Sequence, residues 1–149
     1  MKTNVLAIVN PKAGTIRDKS VLLEDIVLIF DSQTFGFDRL EVVESEGPGH
    51  ATELARKAAM EGFGLCLAFG GDGTMNEVAK GLLHSETALG IIPLGSGNGL
   101  ARHLKISMKP KEAFKQMLTG KTLQMDHGLA NRNPFFLAAG LGFEGVVAH

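Results

Sequence analysis

Two glycine-rich segments of this chain have the composition of turns that bind phosphate groups. The first is GGDG (70–73) within GGDGTMNEV, and the second is GSGNG (95–99) within PLGSGNGLAR. Each follows a short apolar run, and the first precedes apolar residues at helical spacing. Backbone N–H groups at a loop and a helix amino terminus attract anions, and glycine lets the anion come close because it has no Cβ. We therefore expect both segments to contact a phosphate-bearing ligand.

The better-known phosphate and nucleophile motifs do not fit these segments. The Walker pattern G-x-x-x-x-G-K-[ST] fails at residues 13–20, where other residues occupy both of its glycine positions. A dinucleotide fingerprint read from Gly95 has Leu100 where its last glycine belongs. Ser96 does not match the G-x-S-x-G nucleophile elbow, because glycine directly precedes it. The sequence also has no metal-ligand spacing, and its five histidines are scattered: His50, His84, His103, His127 and His149.

Composition excludes several classes of protein. Of the 149 residues, 44% are hydrophobic and 21% are charged, which is typical of a folded globular domain. The net charge of −1 provides no overall basic field for nucleic acid. The single cysteine, Cys66, excludes an internal disulfide and is interpreted as a small buried hydrophobe. Without a signal peptide or a run of about 20 apolar residues, the sequence predicts a cytoplasmic protein.

Charge is unevenly distributed along the chain. Residues 100–121 hold six Lys or Arg and one acid, whereas residues 24–61 hold nine acids and three basic residues. The two segments can be solvated faces of opposite sign, or the basic one can be a rim for phosphate or anionic lipid. The second interpretation includes peripheral contact with the inner face of the membrane. The sequence does not fix an oligomeric state, and a homodimer is left open.

Apolar runs that alternate with amphipathic segments predict an α/β domain. The expected strands are Val5–Val9, Leu40–Val43, Leu65–Phe69 and Ala88–Ile92, and the expected helices are Lys19–Asp31, Ala51–Ala58, one beginning at or just after Gly73 and one from Pro110 to Gly120. Two further short strands are expected at Leu123–Met125 and Phe135–Ala139. This order indicates a doubly wound, mostly parallel sheet with right-handed crossovers. Both glycine segments then lie beyond the carboxyl ends of strands, where such sheets bind ligands.

Several segments together resemble one known family. GGDGTMNEV (70–78) and PLGSGNGLAR (93–102) closely resemble the nucleotide-binding signatures of the diacylglycerol kinase catalytic domain superfamily. That superfamily includes bacterial lipid kinases and sphingosine kinases, with NAD kinases and phosphofructokinases as more distant relatives. Further pieces follow in the family's order: NPKAG (10–14), SEGPGHATELA (45–55), Asp126 before Gly128, and AGLGFEG (139–145).

The resemblance implies a nucleotide site built from these segments. Ser45 keeps the hydroxyl of a threonine that contacts ATP in the family. Residues 70–76 would wrap the phosphates with Glu77 as support, while Ser96 would supply another hydroxyl and Asn98 would pin the second loop. The residues assigned to the nucleotide in this way are Asn10, Lys12, Gly14, Ser45, Gly70, Gly71, Asp72, Gly73, Thr74, Asn76, Glu77, Gly95, Ser96, Gly97, Asn98 and Arg102.

Some of these residues also have simpler interpretations. Asn76 and Glu77 suit the polar first turn of a helix, and Arg102 can be a surface cation rather than a phosphate clamp. Asp72 can be a helix cap. Beside phosphates, however, an acid is repulsive unless Mg²⁺ or a proton offsets its charge. The resemblance therefore implies that Asp72 is catalytic, either holding Mg²⁺ through water or accepting the proton of the attacking hydroxyl.

The implied activity is that of an ATP-dependent lipid kinase, which phosphorylates diacylglycerol or a long-chain base and uses ATP and Mg²⁺. In full-length bacterial relatives a second, β-rich domain follows, and nothing in these residues corresponds to it. We therefore expect residues 1–149 to form the N-terminal nucleotide-binding domain, with an NAD kinase/phosphofructokinase-like fold and little activity alone. The alternatives are an NAD kinase-like enzyme and a non-catalytic nucleotide-binding domain.

Overall fold

The computed structural model describes residues 3–14, 19–32 and 37–137 and has an α/β architecture. A four-stranded parallel sheet in the order β2-β1-β3-β4 forms its centre. The strands are β1 (Thr3–Val9), β2 (Phe37–Glu44), β3 (Leu65–Gly70) and β4 (Ala88–Pro93), and the helices are α1 (Ser20–Ser32), α2 (His50–Met60), α3 (Asp72–Leu82), α4 (Gly99–His103) and α5 (Pro110–Thr119). A separate antiparallel hairpin pairs β5 (Gly128–Ala130) with β6 (Asn133–Phe135). The predicted α/β class and parallel sheet are confirmed.

The two central strands, β1 and β3, are apolar at residues 5–9 and 65–69 because helices cover both faces of the sheet. Successive side chains on a strand point to opposite faces, so each strand serves two cores. Leu6 and Ile8 of β1 belong to a core with residues of α2, α3 and α4. Val5, Ala7 and Val9 belong to a second core with residues of α1 and α5.

Cys66 lies on the central strand β3 and is fully buried. Burial raises the pKa of its thiol from 9.0 to about 12, because the apolar surroundings disfavour the thiolate. The expectation of a small buried hydrophobe is confirmed.

Strand register brings several loops together at one edge of the sheet. Val9 pairs with Glu44 on one side and with Phe69 on the other, while Gly70 pairs with Pro93. All four strands therefore end at nearly the same level. The loops that follow β1, β3 and β4, at residues 10–14, 70–73 and 94–98, meet there, and we call this region the carboxyl edge.

The sequence misplaces elements mainly after α5. Leu123–Met125 is not a strand: residues 121–127 have no regular structure and are exposed. Among the residues that the structure describes, no strand pairs with this segment, so it gains nothing from extension. Phe135–Ala139 is also wrong as an expected strand, since β6 ends at Phe135, and residues 138–139 lie outside the described residues. The helix expected from Gly73 begins one residue earlier, at Asp72.

Helix α4 was not expected from the sequence. It is only five residues long, and its first residue, Gly99, is a poor helix former. Within the described ranges, none of the helices has the length and apolar character needed to cross a bilayer.

Candidate functional site

The two glycine segments meet at the carboxyl edge. A Cβ placed on Gly95 would lie 2.7 Å from the Cα of Gly71, and one placed on Gly71 would lie 3.3 Å from the Cα of Gly95. The first separation is too short for real atoms, so residue 95 must lack a side chain for the backbones to approach this closely. The Leu94 N–H donates to the Gly70 carbonyl at 2.8 Å and ties the two segments together.

The first turn of α3 has backbone N–H groups that make no hydrogen bond within the helix. The first helical hydrogen bond runs from the Met75 N–H to the Gly71 carbonyl at 3.1 Å. The N–H groups of Asp72, Gly73 and Thr74 precede that bond and therefore have no partner within the helix. A helix amino terminus of this kind carries partial positive charge and favours an anion.

Asn98 holds the second glycine segment in shape. Its side-chain Oδ1 accepts from the Gly95 N–H at 3.1 Å, and its Nδ2 donates to the Gly95 carbonyl at 2.6 Å. Asn98 is buried and has a left-handed backbone with φ of 51°, which asparagine tolerates better than most residues. Arg102 on α4 adds a third bond, from its Nε to the Gly97 carbonyl at 2.8 Å.

The loop after β1 is anchored to the first glycine segment through Asn10. The Asn10 Nδ2 donates to Thr74 Oγ1 at 3.1 Å, and its Oδ1 accepts from the Lys12 N–H at 2.9 Å. The side chain of Thr74 also explains why residue 70 is glycine, since a Cβ at position 70 would overlap the threonine side chain. Gly14 has φ of 70°, and a Cβ there would overlap the Leu94 carbonyl oxygen.

A cavity of about 670 Å³ opens between these loops. Both glycine segments and the loop after β1 contribute to its wall, which consists of Asn10, Ala13, Gly14, Gly71, Asp72, Gly73, Thr74, Leu94, Gly95, Ser96 and Gly97. Backbone atoms of glycine therefore form much of the surface. Such a wall suits a ligand that accepts hydrogen bonds from the main chain.

A second cavity of about 310 Å³ adjoins the first. Its lining residues are Asn10, Lys12, Ser45, Glu46, Gly47, Pro48, Ala51, Gly73, Thr74 and Glu77. Asn10, Gly73 and Thr74 line both cavities, so these residues form the boundary between them. The buried Ser45 is fixed to the end of β1, because its N–H donates to the Val9 carbonyl at 2.8 Å.

Asp72 brings a carboxylate to the larger cavity. It is the first residue of α3, whereas Gly71 occupies the N-cap position without a side-chain cap hydrogen bond, so the interpretation of Asp72 as a helix cap is wrong. Its Oδ2 lies 2.9 Å from where a Cβ on Gly97 would stand, which places the carboxylate against the second glycine segment.

The residues around Asp72 fit Mg²⁺ only together with a phosphate ligand. No group of three or more His, Cys, Asp or Glu that could hold a metal occurs among the residues that the structure describes. Mg²⁺ keeps several waters and commonly takes one or two protein carboxylates together with substrate phosphates. A lone carboxylate beside a glycine corner is compatible with that pattern.

Four of the residues assigned to the nucleotide line neither of the two cavities. Asn98 and Arg102 shape the second glycine segment, as described above, and Asn76 on α3 lines neither cavity. Gly70 packs on Thr74 and lines neither cavity. The other assigned glycines line one cavity or the other, as do Lys12, Ser45 and Glu77. The segment AGLGFEG (139–145) lies outside the described residues.

Sequence reasoning missed the wall formed by Glu46, Gly47 and Pro48. The signal was present in SEGPGHATELA, but the motif does not tell which of its residues face a cavity. Gly49, with φ of 84°, turns the chain there and exposes these three residues to the smaller cavity.

Comparison with known proteins identifies several relatives. A diacylglycerol kinase of Bacillus subtilis is 41% identical over 100 residues, covering 63% of this chain and 32% of the relative. A diacylglycerol kinase of Staphylococcus epidermidis is 32% identical over 143 residues, covering 94% of this chain and 44% of the relative. A solved structure described as a diacylglycerol kinase from Bacillus anthracis superposes with a TM-score of 0.79 at 33% identity, covering 89% of this chain and 45% of that one.

The chain spans less than half the length of these relatives. The family model "Diacylglycerol kinase catalytic domain" matches residues 4–130, which include every strand and helix described above except β6. The chain therefore belongs to the diacylglycerol kinase catalytic domain family.

Proposed function

We propose that this chain is the nucleotide-binding part of an ATP-dependent lipid kinase that phosphorylates diacylglycerol or a long-chain base. The observation that carries the proposal is the meeting of two glycine segments around a cavity of about 670 Å³, of whose eleven lining residues five are glycines. Membership of a kinase family supports the reaction class, and the names of the relatives support a lipid as the acceptor.

In this proposal the triphosphate lies in the larger cavity. The N–H groups of residues 72–74 and the second glycine segment bind phosphate oxygens, and the helix dipole of α3 adds favourable potential. Lys12 and Ser45 of the adjoining 310 Å³ cavity contact another part of the same nucleotide. Phosphoryl transfer depends mostly on positioning and charge stabilisation, which rigid loops of this kind provide.

The chemical step exchanges one phosphorus–oxygen bond for another. The oxygen of the lipid hydroxyl forms a bond to the γ-phosphorus, the bond to the bridging oxygen breaks, and ADP leaves. The hydroxyl proton passes to a carboxylate. Asp72 has two compatible roles, either as that proton acceptor or as a ligand that holds Mg²⁺ through water. Mg²⁺, when bound, neutralises phosphate charge that develops during transfer.

Titration calorimetry of ATP with and without Mg²⁺ tests the site in Asp72→Asn. Asp31→Asn is a matched control, because Asp31 is an exposed residue of α1 and lines neither cavity. We expect the wild type and Asp31→Asn to bind ATP more tightly with Mg²⁺. Asp72→Asn should lose most of that metal dependence, because the ligand or its counter-charge is gone. Unchanged metal dependence in Asp72→Asn would contradict its role as a ligand of Mg²⁺.

The acceptor is best identified with the intact protein. Assays against diacylglycerol, sphingosine and NAD should give phosphorylation of one lipid, and phosphorylation of NAD alone would overturn the lipid assignment. We expect residues 1–149 by themselves to bind ATP with little lipid phosphorylation, because full-length relatives are more than twice as long as the part that this chain matches. Robust phosphorylation by these residues would contradict that expectation.

We also propose that the basic segment around α4 and α5 touches anionic lipid headgroups. Lys105 and Lys109 are exposed beside two exposed apolar side chains, Leu104 and Met108, whereas Lys111 pairs with Asp25. Each cation near a membrane surface contributes roughly 1 kcal/mol, so Lys109→Glu should weaken vesicle binding about fivefold or more. Lys57→Glu on α2 is the control, and flotation that does not depend on anionic lipid would overturn the proposal.

A further inference from the structure

His50 makes a hydrogen bond that depends on its protonation state. Its Nδ1 accepts from the Glu46 N–H at 3.0 Å, across the loop that joins β2 to α2. The backbone N–H of His50 donates to the Gly47 carbonyl at 3.2 Å, and Gly49 completes the turn with a left-handed backbone. The imidazole is only partly exposed. The loop is therefore closed by one side chain.

The accepting nitrogen must carry no proton. In this bond Nδ1 is the accepting ring nitrogen, and Nε2 is the ring nitrogen that remains available as a donor. Without the acceptor, the Glu46 N–H would lose its side-chain partner in the loop.

The same loop is one wall of the smaller cavity. Glu46, Gly47 and Pro48 line it, whereas His50 does not. On the far side, Thr52 Oγ1 donates to the Glu77 carbonyl at 2.9 Å and fixes α2 against α3. One end of the loop is fixed at Ser45 and the other at α2, so the Glu46–His50 bond is the cross-link that sets the shape between them.

We infer that His50 is a positioning residue for the nucleotide, and that it holds the wall of residues 46–48 in place by accepting the Glu46 N–H. The ligand in this inference rests on the proposed function. Nucleotide affinity therefore falls when the acceptor is removed, because the wall loses its side-chain cross-link.

Two variants separate the accepting atom from the rest of the ring. In His50→Asn the Oδ1 of asparagine occupies the same position along the side chain as Nδ1, so asparagine accepts the bond. His50→Ala removes the acceptor.

The first test is ATP binding by the wild type and both variants. We expect His50→Ala to lose about fivefold or more in affinity relative to the wild type, which corresponds to roughly 1 kcal/mol. His50→Asn should match the wild type, because it restores the acceptor. Tight binding by a folded His50→Ala would overturn the inference, as would equally weak binding by both variants.

A second measurement needs no nucleotide and separates this inference from the proposed function. In NMR hydrogen-exchange measurements on the free chain, the Glu46 amide should exchange faster in His50→Ala than in the wild type or His50→Asn. A wild type that binds no ATP would refute the proposed function, and the Glu46 amide would still decide the hydrogen bond. Equal exchange rates in all three proteins would overturn the role of His50.

Discussion

The two edges of the central sheet both carry a surface depression, yet they are built differently. At the carboxyl edge the cavity of about 670 Å³ is bounded by two glycine segments and the first turn of α3. At the opposite edge, formed by residues 61–64 before β3 and 83–87 before β4, a depression of about 560 Å³ lies beside α2. We call this second region the amino edge. The volumes differ little, so volume does not distinguish a site from a surface hollow.

The hydrogen bonds do distinguish them. At the amino edge Thr87 Oγ1 donates to the Phe63 carbonyl at 2.6 Å, and the Gly64 N–H donates to the Asn4 carbonyl at 3.1 Å. This edge uses its polar groups to close its own loops. At the carboxyl edge Asn98 and Asn10 hold the loops in shape, while the first N–H groups of α3 have no partner within their helix. We therefore propose that the carboxyl edge binds the ligand and that the amino edge contributes to stability.

The largest effect is expected from Gly95→Ala. Its Cβ would lie 2.7 Å from the Gly71 Cα, so the two glycine segments must separate. We expect ATP affinity to fall about tenfold or more and the free energy of unfolding to drop by about 1–3 kcal/mol through overpacking. Calorimetry and denaturant unfolding measure the two quantities. Wild-type affinity in the folded variant would contradict the proposed site.

A smaller effect is expected from Gly73→Ala, which separates contact with a ligand from contact within the protein. A Cβ at Gly73 meets no protein atom within 4 Å, and the residue lines both cavities. Alanine favours the helix by up to about 1 kcal/mol, so the fold should be as stable as the wild type or more stable. ATP affinity should still fall several-fold, since the methyl group narrows the approach of the phosphates. An unchanged ATP affinity in calorimetry would show that the phosphates do not approach Gly73.

At the amino edge, Thr87→Val should change stability and leave binding unaffected. Valine has nearly the shape of threonine and lacks the hydroxyl that donates to the Phe63 carbonyl. We expect a loss of about 1–2 kcal/mol in the free energy of unfolding, with ATP affinity within about twofold of the wild type. Thr87→Ser keeps the donor and serves as the control. A clear loss of affinity in folded Thr87→Val would remove the contrast between the two edges.

The smallest effect is expected from Cys66→Ala, since Cys66 lies on β3 between the two edges. Burial raises its pKa from 9.0 to about 12, so the fold favours the neutral thiol. That contribution to stability is complete below about pH 9 and is lost as the pH rises through 12. Stability should therefore fall more steeply above pH 9 in the wild type than in Cys66→Ala, as denaturant unfolding would measure. Parallel pH profiles would contradict the burial of this thiol.

The sequence predicted most of the fold for a physical reason. Strands of a parallel sheet that is covered on both faces are continuous apolar runs, and β1, β3 and β4 stand out in the sequence for that reason. The failures occurred where tertiary context decides. Leu123–Met125 has the residues of a strand and no partner beside it, and the hairpin turn at Asn131 and Arg132 requires two left-handed residues that are not glycine.

The candidate site was predictable in part. The glycine segments are recognisable because only close backbone approach explains so many glycines at strand ends. The wall of residues 46–48 and the cross-link from His50 were not predictable, since a single turn at Gly49 determines which side chains reach the cavity and which reach each other.

We propose that the main chain of the two glycine segments binds a triphosphate, and amide chemical shifts would report such contacts residue by residue. ¹⁵N NMR spectra of the chain would be recorded while ATP and Mg²⁺ are added. We expect the largest shifts at residues 71–74 and 95–97, with little change at residues 61–64 and 83–87. Shifts concentrated at the amino edge, or no shifts at saturating nucleotide, would contradict it.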